Sequence, residues 1–190
     1  TYRITRQFNS VEGKVWLHLG TISPPFGPLL KTEFPEIEEM TRLLKFSSTP
    51  MRNGDKIFNE RNVYVADENV FNTFPTTIIS GNPKTALAEP FSVMLSDVEA
   101  RKYFGDENPV GKNLLALNQF NVKVTGVFRT FPENMHIHPD ILVSFSTLRD
   151  SAVYGEKNLE TNWGNNAFLT YIRLPKKYDY KKLEARFPAF

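Results

Sequence analysis

Residues 91–132 read FSVMLSDVEARKYFGDENPVGKNLLALNQFNVKVTGVFRTFP. Phe91 to Leu95 form an apolar run. Ser96 and Glu99 follow with the spacing of a capping box, which predicts a helix start. Ala100, Tyr103 and Phe104 give that helix one apolar face. Gly105 stands where a helix stops with a residue of positive φ, and Pro109 with Gly111 marks a turn. Phe120, Val122, Val124 and Phe128 alternate with Asn121, Lys123, Thr125 and Arg129, the pattern of a strand with one buried face. The order is strand, short helix, turn, strand, strand. The chain as a whole reads as α+β, its two ends forming one layer.

Gly105, Gly111 and Lys112 superficially suggest a phosphate-binding loop. Such a loop has four residues between its glycines and a Ser or Thr after the Lys. Here five residues intervene, Asn113 follows the Lys, and the loop leaves a helix instead of entering one. A helix stop and a turn account for the residues, and nucleotide binding is rejected.

Outward from this stretch the pattern continues. Tyr2, Ile4, Arg6 and Phe8 alternate with Arg3, Thr5 and Gln7, predicting one half-buried strand. A turn over 9–14 leads to a second strand over 15–19. Phe26, Leu29, Leu30 and Phe34 fall at helical spacing, and Pro35 bounds that helix. Residues 40–46 read as a strand, 47–55 as a polar loop, and 56–66 as a strand pair or one bent strand. Val70, Phe71 and Phe74 suit a single helical turn, and 81–90 a loop. Beyond the central stretch, 141–145 is another apolar run, 146–153 reads as helical, and 158–166 is polar and irregular. A strand over 167–174 stops at Pro175. Asp179 can cap a last helix with Tyr180, Leu183 and Phe187 on one face.

The two ends echo each other: Leu30, Phe34 and Pro35 share their spacing with Leu183, Phe187 and Pro188. With the polar stretches at 47–55 and 158–166 as boundaries, the expected organisation is one layer made from residues 1–50 and 166–190. Residues 51–165 are inserted between them.

Composition bounds the function. The chain has 190 residues, 41% hydrophobic and 13% aromatic, enough for a real core. No run is long and apolar enough to cross a bilayer; the longest uncharged one, 15–30, is broken by Pro24, Pro25 and Pro28. No signal-peptide pattern is present. Net charge is +2 with both signs interspersed, which argues against a nucleic-acid groove. Lys176, Lys177, Lys181 and Lys182 form the densest basic patch. It reads as a solvated helix end, with contact to anionic lipid as the sharper alternative. Cysteine is absent, which excludes thiol catalysis, thiolate metal sites and disulfides.

Candidates for chemistry are few. His136 and His138, separated by one residue, would share a face if they lay on a strand, and Asp140 could complete a zinc site; this is the residue set of a small metallohydrolase. A loop between Pro132 and Pro139, with Asn134 and His136 bonded to backbone groups, explains the same residues. There is no Gly-x-Ser-x-Gly elbow. Glu38 and Glu39 are adjacent and would face opposite ways on a strand. Glu33 and Glu36 read as solvated charges. Phe71, Phe74, Tyr103, Phe104, Phe120 and Phe128 suit a core better than a substrate groove, and Trp16 and Trp163 both lie near loops. No catalytic residue, cofactor site or metal site is therefore assigned.

Several pieces carry a family resemblance. They are Ala100 to Gly105 and Asn108 to Lys112, including Tyr103, Phe104, Pro109 and Gly111; Phe34 to Ile37; Asp67, Phe71 and Phe74; Gly81 to Leu87; Gly126 with its valines; and Pro132, Asn134 and His136. In this order they resemble the periplasmic core domain of MacB/FtsX-like ABC transporter permeases, most of all those of Bacteroidetes. Met135 departs from the small residue usual between Asn and His. The resemblance implies a porter-like α/β layer built from both chain ends and an inserted β-rich subdomain of the kind called Sabre. It further implies a periplasmic or extracytoplasmic domain of an inner-membrane protein, placed between two transmembrane helices, with its export signal outside this sequence. Such permeases work as dimers with a cytoplasmic ATPase, in some cases with a periplasmic adaptor or lipoprotein. They couple ATP-driven motion to export or another periplasmic process, and the domain has no catalytic residues or cofactor.

Overall fold

The computed structural model describes residues 1–190, the side chain of Ala189 excepted. In chain order the first elements are β1 (Tyr2–Ile4), β2 (Arg6–Asn9), β3 (Val15–Leu19), α1 (Phe26–Glu33), β4 (Glu39–Phe46), β5 (Thr49–Asn53), β6 (Lys56–Glu60) and β7 (Val63–Ala66). Then come α2 (Val70–Thr73), β8 (Ile78–Gly81), β9 (Ser92–Ser96), α3 (Asp97–Phe104), β10 (Asn113–Ala116), β11 (Phe120–Phe128) and β12 (Ile141–Ser144). A 3-10 helix (Phe145–Arg149), α4 (Glu156–Thr161), β13 (Phe168–Arg173), α5 (Tyr180–Glu184) and a short 3-10 turn (Phe187–Ala189) complete the chain.

One mixed sheet runs through the molecule in the order β1-β13-β4-β7-β12-β9-β11-β10-β5-β6, with β8 on the second half of β11. Most pairs are antiparallel; β12 with β7 and β9 with β11 are parallel. The fold is α+β, as expected from the sequence.

The central stretch forms as its residues dictate. Ser96 Oγ accepts from the Glu99 backbone N–H at 3.2 Å and starts α3. Gly105 ends it at φ 63°, and Asp179 caps α5 through Lys181 N–H. Every residue of β7 and of β9 is buried, because alternate side chains enter cores on opposite faces of the sheet. Tyr64, Ala66 and Met94 join Leu43, Val70, Phe74, Phe128, Leu142 and Tyr171 on one face. Val63, Val93 and Leu95 join Ala100, Tyr103, Phe104, Val122, Val124 and Ile141 under α3 on the other. A third cluster packs α1 and α5 against β13, with Ile22, Leu30, Phe34, Ile37, Ile172 and Leu183.

Three expectations need correction. The alternation over 2–8 is not one strand. It breaks at Thr5, so that β1 pairs with β13 while β2 turns away to form a separate hairpin with β3. Residues 47–55 are not a loop: β5 lies within them, held between β6 and β10. Residues 158–166 are only partly irregular, since α4 extends to Thr161. The strand Ile78–Gly81 had no counterpart in the sequence reading.

Candidate functional site: a polar seam along β4 and β13

β13 lies between β1 and β4, so strands from both ends of the chain stand side by side at one end of the sheet. β4 is long enough for two partners. Its first six residues pair with β13, Glu39↔Arg173 to Leu44↔Phe168, and its last four with β7, Leu43↔Ala66 to Phe46↔Val63. Side chains that cross this place join the end strands to the rest of the sheet.

The strongest crossing is Arg42 to Asp67. One carboxylate oxygen of Asp67 accepts from Arg42 backbone N–H at 2.8 Å and Nε at 3.0 Å, and the other from a terminal guanidinium nitrogen at 2.9 Å. Both side chains are largely buried, at 13% and 16% exposure. The guanidinium also lies 3.8 Å from the centre of the Phe145 ring. The planar fork of Arg matches a carboxylate and an aromatic face together, which Lys would not do.

Polar contacts continue beside it. The buried Thr41 hydroxyl is 2.7 Å from that of Thr73 in α2 and 3.1 Å from Asn69 Oδ1. Asn69 donates to Glu39 at 2.7 Å and to the Met40 carbonyl at 3.0 Å. Arg173 of β13 reaches both Glu38, at 3.2 Å, and Glu39, at 3.5 Å. Glu36 is not a solvated charge: it accepts from Tyr178 Oη at 2.9 Å and from Arg186. Hydrogen bonding to its own backbone N–H, then to Tyr178 and Arg186, outweighs desolvation and lowers its carboxyl below the ordinary range.

His136 makes the other crossing. Its Nε2 is 2.6 Å from the Tyr171 hydroxyl of β13, and Phe74 stands edge-on to the Tyr171 ring at 4.7 Å. Burial pushes the Tyr171 phenol up to about 12. Burial, then Arg3 and His138, lowers the His136 pKa, so its neutral form is favoured.

The zinc constellation does not assemble. His136 and His138 lie on an irregular loop, not a strand, with the buried Ile137 between them. His136 is engaged with Tyr171, and Asp140 accepts from Asn62 Nδ2 at 2.9 Å. Among the described residues no group of three His, Cys, Asp or Glu is placed to hold a metal. The metallohydrolase reading has no support.

Other residues of the resemblance fall into structural roles. Phe74, Tyr103, Phe104 and Phe128 are core, and Phe71 packs against the first cluster. Phe120 is half-buried and stacks on Phe91. Gly81 and Gly126 pair directly across β8 and β11. Pro109 is buried, Gly111 has φ 90°, and Pro132 and Asn134 are exposed in the loop that carries His136.

Sequence patterning missed one ionic cluster. Glu60 and Glu99 are 5% and 6% exposed and share Lys102, whose Nζ lies 2.8 Å from the first carboxylate and 2.9 Å from the second. Tyr103 Oη donates to Glu60. Desolvation, reinforced by the charge of Glu60, raises the Glu99 carboxyl although Lys102 opposes it. The two carboxylates raise Lys102 despite its own desolvation.

The fold is thus a wide mixed sheet whose first and last strands lie side by side. Residues 2–190 match the MacB-like periplasmic core domain family, and the chain belongs to that family. It is an extracytoplasmic domain of an ABC-transporter permease, and the family is a non-catalytic one. Among solved structures, a domain of a permease protein from Porphyromonas gingivalis superposes with a TM-score of 0.79 at 24% identity, covering 97% of this chain and 76% of that one. The periplasmic region of MacB from Actinobacillus actinomycetemcomitans gives 0.66 at 16% identity, covering 95% and 78%. The extracellular domain of the noncanonic ABC-type transporter YknZ from Gram-positive bacteria gives 0.60 at 15%, covering 94% and 86%. No curated protein matches the chain significantly. Among the described residues no helix is long and apolar enough to cross a membrane.

Proposed function

We propose that this domain is a mechanical relay with no catalytic residues of its own. ATP-driven motion of the permease enters through the end strands and is delivered to an export step or another periplasmic process. The working unit is a dimer of permeases with a cytoplasmic ATPase, and a periplasmic adaptor or lipoprotein receives the motion. In this reading residues 1–50 and 166–190 form the driven layer, and 51–165 is the part carried along.

One observation carries the reading: β1, β13 and β4 stand together at one end of a continuous sheet, bolted to β7 by Arg42 and Asp67. Packed interiors deform little, so displacement of the end strands moves the remainder as a body.

This domain has no cysteine of its own, so a single label site can be introduced once any cysteines elsewhere in the permease and its ATPase are replaced. Asp106→Cys, on the exposed loop after α3, takes a spin label in the full-length permease reconstituted with its ATPase. The distance between labels on the two copies should change between nucleotide-free and ATP-bound states. Asp67→Ala should shrink that change while ATP hydrolysis continues. An inter-copy distance that ignores nucleotide would refute the relay.

A further inference from the structure

Away from the seam, the face of the sheet that carries α3 is not wholly covered. Beside the 3-10 helix lies a pocket of about 140 Å³, half open to solvent, lined by Met51, Val63 and Val143 and by the rings of Phe46, Phe91 and Phe120. Among the described residues, no charged side chain lines it.

Backbone strain gathers at this cavity. Four residues other than Gly have positive φ: Phe91 (57°), Leu117 (54°), Asn118 (56°) and Lys177 (71°). Phe91 and Leu117 line the cavity, and Asn118 is next to Leu117. For a bulky side chain this conformation is an outlier, held only where surroundings over-determine it. They do so for Phe91: its N–H donates to Thr147 Oγ1 at 2.8 Å, and its carbonyl accepts from Lys123 N–H at 2.8 Å. The ring so fixed stacks on Phe120, with centroids 5.7 Å apart and planes at 20°.

Leu117 is the more telling case. It begins the tight turn between β10 and β11, where Gly or Asn would take positive φ at less cost. A Leu there is 45% exposed, so burial does not explain it. It does supply an apolar lip to the cavity.

We propose that this cavity binds a small neutral molecule presenting one aromatic ring or a branched alkyl group. The size fits: an apolar cavity of roughly 150 Å³ accommodates benzene. Uncharged walls exclude an ionised ligand, whose desolvation would go uncompensated. Phe46, Phe91 and Phe120 offer ring faces and edges to an aromatic guest. The ligand can carry one hydrogen-bonding group: Thr49 belongs to the lining, and its buried hydroxyl has no partner.

The test is a methyl-NMR titration of the chain with benzene and, separately, with benzoate. Benzene should shift the methyl signals of Val63, Val143 and Val153 and leave those of Ile22, Leu30 and Leu183 in place; benzoate should shift neither set. Leu117→Asn relieves the strain and removes the lip. It should leave the melting temperature unchanged or raised and weaken benzene binding by about tenfold, equivalent to ~1.4 kcal/mol. Val143→Phe should fill the space and abolish the shifts. The proposal is overturned if benzene leaves the cavity methyls unmoved, if it shifts both sets alike, if benzoate binds as well as benzene, or if Leu117→Asn binds as the parent does.

Discussion

Phe34 and Phe187 meet edge to face, their ring centroids 5.5 Å apart and their planes at 69°. Leu30 and Leu183 are each 2% exposed in the same cluster. The two echoing segments, one near each end of the chain, therefore pack against one another. Phe34→Ala should destabilise the domain by about 3–5 kcal/mol in urea unfolding. The half-buried Phe187 should cost less, and a double-mutant cycle should return a coupling of about 0.5–1.5 kcal/mol. Additive losses would mean that the ring contact contributes nothing of its own.

Gly81 and Gly105 both have positive φ but should respond differently to Ala. A Cβ on Gly81 would collide with the Thr125 carbonyl oxygen, whereas one on Gly105 has nothing within 4 Å. Gly105→Ala then meets only local backbone strain, about 1–3 kcal/mol. Gly81→Ala must also separate β8 from β11 and should cost more than about 3 kcal/mol. Thermal melts that rank the two equally would contradict the close approach.

Asp67→Ala leaves the Arg42 guanidinium largely buried, with Phe145 as its neighbour and no carboxylate. Removing one partner of such a pair should cost about 3 kcal/mol, read as a lower urea midpoint at an unchanged slope. Asp67→Glu, which keeps the charge on a longer arm, should recover part of the loss. A midpoint matching the parent's would show that the seam does not depend on this pair.

Glu99 and His136 should give pH dependences of opposite sign. The Glu99 carboxyl is raised from 4.5 by burial, so its contribution is fully present below 4.5 and is lost as pH rises through the raised folded value. His136 is lowered from 6.5, so its contribution is present above 6.5 and is lost as pH falls through the lowered folded value. The parent-minus-variant stability difference for His136→Gln should therefore rise with pH below 6.5. That for Glu99→Gln should fall with rising pH above 4.5. Urea midpoints at several pH values decide it, and slopes that do not separate in this sense would refute both assignments.

Local chemistry made much of this fold legible. Ser96, Gly105 and Asp179 act through neighbours within a few residues, so spacing alone reveals helix starts and stops. β11 and β4 carry enough alternating residues to show a period. β5 escaped because Thr49, Pro50, Met51, Arg52 and Asn53 offer few apolar side chains and include a Pro. The signal that would have found it is Gly54-Asp55, a two-residue hairpin loop with Gly at its first position, Gly54 lying at φ 58° between the paired Asn53 and Lys56. α4 buries only Leu159, and one apolar residue has no period. The break at Thr5 is invisible for another reason: alternation reports which way a side chain faces, not which strand lies alongside. The seam was out of reach on the same ground. Asp67 stood out only as part of a family pattern and His136 also as a candidate zinc ligand, while their partners Arg42 and Tyr171 are distant in sequence. Glu60, Glu99 and Lys102 meet only once α3 has docked on the sheet.

The position of β13 bears on how the chain reaches its native state. Within this domain β1 is made before β4, yet the strand that joins them comes from residues 168–173. During synthesis or export β1 has no neighbour in the sheet until nearly the whole domain has emerged. Such distant closure makes folding slow and leaves unpaired strand edges exposed meanwhile. The last strand to arrive is thus the one that locks the sheet, and a polypeptide cut short before Phe168 would lose its first strand together with its last.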